Sequence, residues 1–291
     1  MISLKKKNKS PLKNSRLAIR KRRIFYAKIF GIAAAIIIFI AGASLISKLN
    51  ALAIKVIAVE GNAAVDVDGL KAIAQENLAG SYAYLFSKSN KLLYDKDSIK
   101  AQILENNTRV ESVEVSTKRD TLTISIKERA PAYTWCTGMP QDTGSKVCYF
   151  LDSNGYIFAE SPIFSGNVFF AFYGLIPADK AIGATFLDSQ EFKDIDKLIT
   201  FLNSHSAKPY ALVAKDNGIF EIYFEESGKL LFKQDQSVDL LIANLDVIVK
   251  NTPIFTTLSS KLEYIDMRFG NKVYYKISGD NEVQEVEESG V

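Results

Sequence analysis

Histidine is nearly missing from this 291-residue chain, with His205 standing alone, and cysteine is reduced to Cys136 and Cys148. Two sulfurs and one distant imidazole do not make the four-ligand set of a structural zinc site. Ser-His-Asp and Cys-His schemes have a single imidazole to draw on, in Asn203-Ser204-His205-Ser206, which reads as an exposed spacer after a helix. There is no G-x-S-x-G elbow, no H-E-x-x-H helix and no G-x-x-x-x-G-K phosphate loop. Asp194 and Asp196 lie two apart on an amphipathic segment and read as a solvated face. These absences argue against an enzyme, a metal and a cofactor. A carboxylate pair assembled only by folding leaves an anchored cell-wall hydrolase as the remaining catalytic alternative.

Acid is missing from the first 28 residues, which carry eleven Lys and Arg. The remainder holds 25 bases against 33 acids, so the net charge of +3 conceals a basic end and an acidic body. Charge then vanishes between Lys28 and Lys48, where Ile29–Ser47 forms one apolar run. As a helix that run is about 28 Å long, the hydrocarbon thickness of a bilayer. Basic residues on one side only predict a cytoplasmic tail (1–28), a transmembrane helix (29–47) and an extracytoplasmic remainder. Orientation already explains the basic block, so no nucleic acid is expected as a partner. Ala41-Gly42-Ala43 resembles a signal cleavage site, but the run exceeds the roughly 7–15 residues of a signal core, which favours an uncleaved anchor. Cys136 and Cys148 then lie where a disulfide persists and are the candidate pair, two free thiols being the alternative.

Periodicity organises the chain beyond the apolar run. Ile54–Val59 reads as a strand turning at Glu60-Gly61-Asn62; Asp66 caps a helix with Leu70, Ile73, Ala74 and Leu78 inward, and Gly80 ends it. Tyr82–Tyr94 reads as a connector packed against something. A second helix begins near Asp97 and Ser98, turns Ile99, Ile103 and Leu104 inward and stops at Asn106-Asn107. Val113 and Val115, then Leu122, Ile124 and Ile126, alternate as two strands around Lys118-Arg119-Asp120. This order predicts a three-stranded sheet with two helices on one face over residues 48–129.

Residues 130–278 predict a mixed β-sheet domain with flanking helices, so the fold class is α+β. Its signals are a hairpin at Asp152-Ser153-Asn154-Gly155, a helix over Gln190–Leu202 capped by Asp188, and strands about Asn217-Gly218 and Ser227-Gly228. A further helix turns Val238, Leu241, Leu245, Ile248 and Val249 inward, and a last pair of strands, Leu262–Met267 and Lys272–Ile277, turns at Gly270-Asn271. Five acids and no base come after Gly279, so 279–291 is expected to be a disordered acidic tail.

A strand edge with unpaired N–H and C=O groups accepts an extended partner segment. Val273-Tyr274-Tyr275-Lys276-Ile277, with high β propensity and only a tail after it, is the candidate. The alternative is that another strand pairs there, or that Lys272 and Lys276 protect the edge.

Several segments, in order, resemble the FtsQ/DivIB family of bacterial division proteins. They are Val59-Glu60-Gly61-Asn62, Leu122–Ile126 followed by Glu128-Arg129-Ala130-Pro131-Ala132-Tyr133-Thr134-Trp135, Tyr149–Gly155, and Ile265–Asn271. The resemblance implies a POTRA domain for 48–129 and an FtsQ-type β domain for 130–278. It implies a non-enzymatic divisome scaffold, single-pass in the cell (inner) membrane at the division site, surrounded by lipid at its anchor and supporting septum formation. Implied partners are small bitopic coiled-coil division proteins of the FtsB/DivIC and FtsL types and the septal wall synthesis machinery. Carried over by position, the partner strand is Val273, Tyr274, Tyr275, Lys276 and Ile277, with Arg268 and Phe269 at its approach. Thr108 and Asp120 stand where the family often has proline. Another POTRA-bearing envelope protein, of secretion or outer-membrane assembly, is the alternative; such proteins usually carry several modules feeding a β-barrel.

Overall fold

A computed structural model describes residues 16–142, 146–270, 272–279 and 283–287. The basic residues before Arg16, Asn271 of the expected turn, and residues 280–282 and 288–291 of the expected tail lie outside the described residues. One helix, α1 (Arg16–Ser47), contains the whole apolar run, and from Ile19 it is long and apolar enough to cross a membrane. Phe30, Ile38, Phe39 and Leu45 on it are exposed. A core helix of a soluble protein would cover such side chains, so the exposure is consistent with a single-pass anchor.

The chain packs as two compact units. Among the described residues, one comprises those from Arg16 to Glu60, Asp66–Ile103 and Glu114–Ser125; the other comprises Gly61–Val65, Leu104–Val113 and those from Ile126 to Glu287. In order come β1 (Val56–Glu60), α2 (Val67–Leu78), the short strands β2 (Ser81–Tyr82) and β3 (Phe86–Ser87), α3 (Lys96–Asn106), β4 (Val110–Lys118) and β5 (Thr121–Glu128). β4 and β5 each run from one unit into the other, so the packing does not follow a single cut at Arg129. The sheet order is β1-β5-β4, with β1 parallel to β5.

Local chemistry explains the helices. The Asp66 carboxylate accepts from the N–H groups of Asp68 and Gly69, filling orphan donors at the start of α2. Leu70, Ala74, Ile99 and Ile103 are fully buried. Leu104, expected inward, is 42% exposed, because one residue beyond Ile103 the helix has rotated its side chain off the core stripe. Asn77 ties α2 to α3, donating to Gln102 Oε1 at 2.8 Å and accepting from Ser98 Oγ at 2.9 Å.

Among the described residues, the second unit is built on a ten-stranded sheet. Its elements are β6 (Tyr133–Cys136), β7 (Cys148–Leu151), β8 (Ile157–Ser161), β9 (Ala171–Tyr173), α4 (Ser189–Ser204), β10 (Pro209–Ala214), β11 (Ile219–Phe224) and β12 (Lys229–Lys233). After these come α5 (Val238–Asn251), β13 (Leu262–Phe269), β14 (Lys272–Ile277) and β15 (Gln284–Glu287). The order across the sheet is β15-β14-β13-β12-β11-β10-β9-β6-β7-β8. β9 lies parallel to β10 and β12 parallel to β13. Parallel neighbours need a long crossover, and α4 and α5 supply one each. Phe192, Ile195, Leu198 and Leu202 of α4 and Leu241, Leu245 and Ile248 of α5 join Phe172, Leu212, Ile222, Leu230, Ile265 and Met267 in one core. Each such side chain contributes about 1.5–3 kcal/mol of transfer free energy. Gly155 sits at φ 78° against Phe192, where an added Cβ would stand 2.5 Å from the ring, so the β7–β8 turn must be glycine to lie on α4.

Two adjacent residues fasten the chain ahead of this sheet. Glu128 accepts from three successive N–H groups, those of Ala63 (2.6 Å), Ala64 (2.9 Å) and Val65 (2.9 Å). Burial pushes its carboxyl up, but the three donors and the Arg109 charge outweigh burial and hold it below its ordinary value. Arg129 donates from Nη1 to Asp152 Oδ2 at 2.5 Å and from Nε to the Thr108 carbonyl at 3.1 Å, and its guanidinium lies 4.1 Å from the Tyr156 ring centre. Thr108 in turn donates from its hydroxyl to the Phe158 carbonyl at 2.8 Å, a bond that proline could not make.

Arg129→Leu leaves Asp152 buried without a counter-ion and should cost about 3–5 kcal/mol, read as a lower unfolding midpoint of the detergent-solubilised chain. Glu128→Gln should cost about 1–3 kcal/mol at neutral pH. Since the folded-state Glu128 carboxyl is lowered, its stabilisation is complete above the ordinary carboxylate range and lost as pH falls through the lowered value. Unfolding midpoints of parent and Glu128→Gln should therefore converge on acidification.

Candidate partner-binding edge

The seven residues expected at a partner site split between the two faces of β13 and β14. Val273 and Ile277 are buried, 3% and 7% exposed, and Tyr275 packs partly against the same core. Their side chains serve the fold, which leaves only backbone groups to form an edge. Arg268, Phe269 and Tyr274 come together near the turn between the two strands. The Phe269 and Tyr274 rings meet edge-on at 5.4 Å, and the Arg268 guanidinium lies 5.7 Å from the Phe269 ring. Phe269 is 57% exposed, and Lys276 reaches Glu263 at 2.9 Å.

Arg268 is held by a two-pronged bond to Asp266, Nε to Oδ1 at 2.8 Å and Nη2 to Oδ2 at 2.5 Å. This carboxylate, by direct bonding, raises the guanidinium above its ordinary value, against a smaller effect of burial. Asp266 is itself buried, so Arg268 is a fixed feature of the surface.

The expectation of a bare edge with a disordered tail beyond it is corrected by β15. Gln284–Glu287 pairs antiparallel with β14, setting Glu287 opposite Lys272, Val286 opposite Val273, Glu285 opposite Tyr274 and Gln284 opposite Tyr275. The physical cause is the edge itself: its open N–H and C=O row offers backbone bonds to any extended segment within reach. Gly279, at φ 99°, helps the chain reverse just after β14. Acidic composition argues against a core, but an edge strand needs none.

Three strands in from β14, centred on β11, lies a polar cluster that the sequence pattern did not single out. Glu221, 8% exposed, accepts from the Tyr223 hydroxyl at 2.7 Å and pairs with Lys229 at 3.1 Å and Lys215 at 3.6 Å. Burial pushes the Glu221 carboxyl up, but these partners more than reverse it, and the net shift is downward. Burial and the Glu221 charge push the Tyr223 hydroxyl up. Cross-strand register links the cluster to the edge: Glu221 stands opposite Leu231, Leu231 opposite Asp266, and Asp266 opposite Tyr274. The available signal was the alternation of Phe220, Ile222 and Phe224 with Glu221 and Tyr223, which marks two faces of one strand.

Cys136 and Cys148 are cross-strand partners on β6 and β7 and are joined as a disulfide. His205 is not the exposed spacer expected: it caps α4, half-buried, with Nδ1 donating to the Phe201 carbonyl at 2.9 Å. Asp196, expected to be merely solvated, accepts from the Tyr133 hydroxyl, while Asp194 pairs with Lys197 at 3.1 Å.

Replacing both cysteines by serine should remove about 3 kcal/mol of stability on the chain-entropy account of a loop this short. Parent and variant unfolding midpoints should coincide once reductant is added to both.

No family model matches this sequence, and a search of curated proteins finds no match either.

Proposed function

We propose that this protein is a non-enzymatic division-site scaffold of the FtsQ/DivIB kind. α1 anchors it in the cell membrane, residues 48–129 act as a POTRA domain, and the large sheet carries a partner-binding edge. The partner is an extended segment of a small bitopic coiled-coil division protein, of the FtsB/DivIC or FtsL type, which the scaffold links to septal wall synthesis. Arg268, Phe269 and Tyr274 form the side-chain part of the site, and the backbone of Val273–Ile277 forms the rest.

The observation that carries this reading is that β14 already takes up an extended segment by backbone pairing, from the chain's own Gln284–Glu287. An edge that accepts four residues in this way is a template for strand addition. Strand addition draws its affinity from main-chain bonds, which any extended segment can make, and its selectivity from side chains beside the edge. The Arg268–Asp266 fork and the exposed Phe269 ring supply those.

A partner strand on β14 must displace β15. The chain ending at Gly279 should therefore capture the small coiled-coil partner more tightly than the full chain, by about tenfold if the tail occupies the edge nine-tenths of the time. Tyr274→Lys should weaken that capture while leaving the unfolding midpoint unchanged. Equal recovery of partner by parent, truncated chain and Tyr274→Lys in a pulldown would remove β14 from the binding site. Fluorescence localisation with and without residues 262–277 tests the cellular role: loss of midcell signal is expected.

A further inference from the structure

An apolar groove of about 650 Å3 opens between α1 and the segment that carries β2 and β3. One wall is the helix, with Ile38, Phe39 and Ile46; the other is Phe86, Leu92 and Leu93. In water such a surface is costly. Phe39 is 77% exposed, Leu92 75% and Tyr84 95%.

The polar groups at the groove are already spent. Ser44 Oγ donates to the Leu85 carbonyl at 2.6 Å, and Ser47 Oγ donates to the Ser44 carbonyl at 2.8 Å and accepts from Ser87 N at 3.3 Å. Asn90, 2% exposed, donates to the Ser47 carbonyl at 2.9 Å and accepts from Leu92 N at 2.9 Å. The Ser47 carbonyl at the end of α1 is thus satisfied by Asn90, the Ser44 carbonyl by Ser47 Oγ and the Leu85 carbonyl by Ser44 Oγ, and such pairing is a condition for backbone to meet hydrocarbon.

Depth fits as well. Ile38 lies nine residues before Ser47 in α1, about 14 Å along the axis, close to half the roughly 30 Å of a bilayer's hydrocarbon. The groove therefore extends along α1 by about one leaflet. The segment that forms the second wall also carries Lys91, whose ammonium donates to the Ala51 carbonyl at 3.2 Å, and Lys88, 5.6 Å from the ring centre of Tyr82, which lines the groove. Tyrosine and lysine beside an apolar wall are the residues of a membrane–water boundary. The hairpin tip is also strained, with Ala83 at φ 48° and Tyr84 at φ 63°, a left-handed pair without glycine that turns the Tyr84 ring away from the protein.

We propose that this groove binds a phospholipid acyl chain, and that the Tyr82–Leu93 segment sits in the same bilayer leaflet as the adjoining end of α1. The inference rests on reading α1 as a membrane-spanning helix. Continuity decides the occupant: the helix wall of the groove is the anchor surface itself, so whatever solvates the anchor enters the groove.

The test uses the full chain in phosphatidylcholine vesicles, at high lipid excess, with lipid brominated on the acyl chain as quencher. Trp135, the only tryptophan, is buried, so emission added by Phe39→Trp or Leu92→Trp is read against the parent. Loss of most of the added emission from both variants to bromolipid, with none lost to aqueous iodide, is expected. If Phe39→Trp is quenched while Leu92→Trp yields only to iodide, the groove proposal fails and the anchor stands. If neither responds to bromolipid, the anchor reading fails and takes the groove with it. Shelter of Leu92→Trp from both quenchers means that a second copy fills the groove, which also overturns the proposal. Tyr84→Trp repeats the measurement should Leu92→Trp misfold.

Discussion

The buried pair of Arg129 and Asp152 is the constraint on which the second unit is organised. Side chains 18% and 7% exposed have lost most of their water, and a charge in that position is tolerated only when its bonds are complete. Completion draws in several segments at once. Asp152 also accepts from Asn154 N and Tyr156 N, which shapes the turn that Gly155 lets lie on α4, while Arg129 reaches the Thr108 carbonyl and Tyr156 ring. A single guanidinium thus ties the start of β4, the end of β5 and the β7–β8 hairpin, and neighbouring Glu128 adds the Ala63–Val65 backbone. The Glu-Arg-x-Pro stretch is therefore two electrostatic fasteners and then a break.

From that fixed point the sheet extends strand by strand to an edge that differs in kind. The interior strands are held by the shared core of α4 and α5, whereas β15 is held by pairing with β14 on one side only. Elements stabilised mainly by backbone bonds at an edge exchange more readily than elements stabilised by burial. The same contrast separates α1, whose exposed apolar side chains are consistent with a membrane anchor, from the sheets and helices that bury theirs. The chain thus carries two such features, an apolar groove along α1 and an outer strand, β14, on which its own Gln284–Glu287 lies.

Much of the fold was legible in the residues because the signals were local. Phe192, Ile195, Leu198, Ile199 and Leu202 fall on one stripe and all are buried; Asp66 and Asp188 precede their helices and cap them. Other elements were not legible. β9 is three residues long, β10 begins at a proline, and both exist because α4 returns the chain to a parallel neighbour. β15 was missed because five acids in a tail suggest solvation, and composition says nothing of an open edge nearby. At the candidate site, the hairpin of Leu262–Met267 and Lys272–Ile277 was legible and Arg268 was named only through the family resemblance, but the Glu221 cluster was not legible, since it is assembled from separate strands.

By itself the sequence determined the charge-flanked apolar helix, the capped amphipathic helices and the alternating strands, because each depends on residues within a turn or two of one another. Tertiary structure decided which strands are neighbours, that Arg129 finds Asp152, that β14 is covered by β15, and that the Tyr82–Leu93 segment lies on α1. These depend on segments far apart in the chain satisfying each other's backbone and charge, and no local pattern encodes the partner.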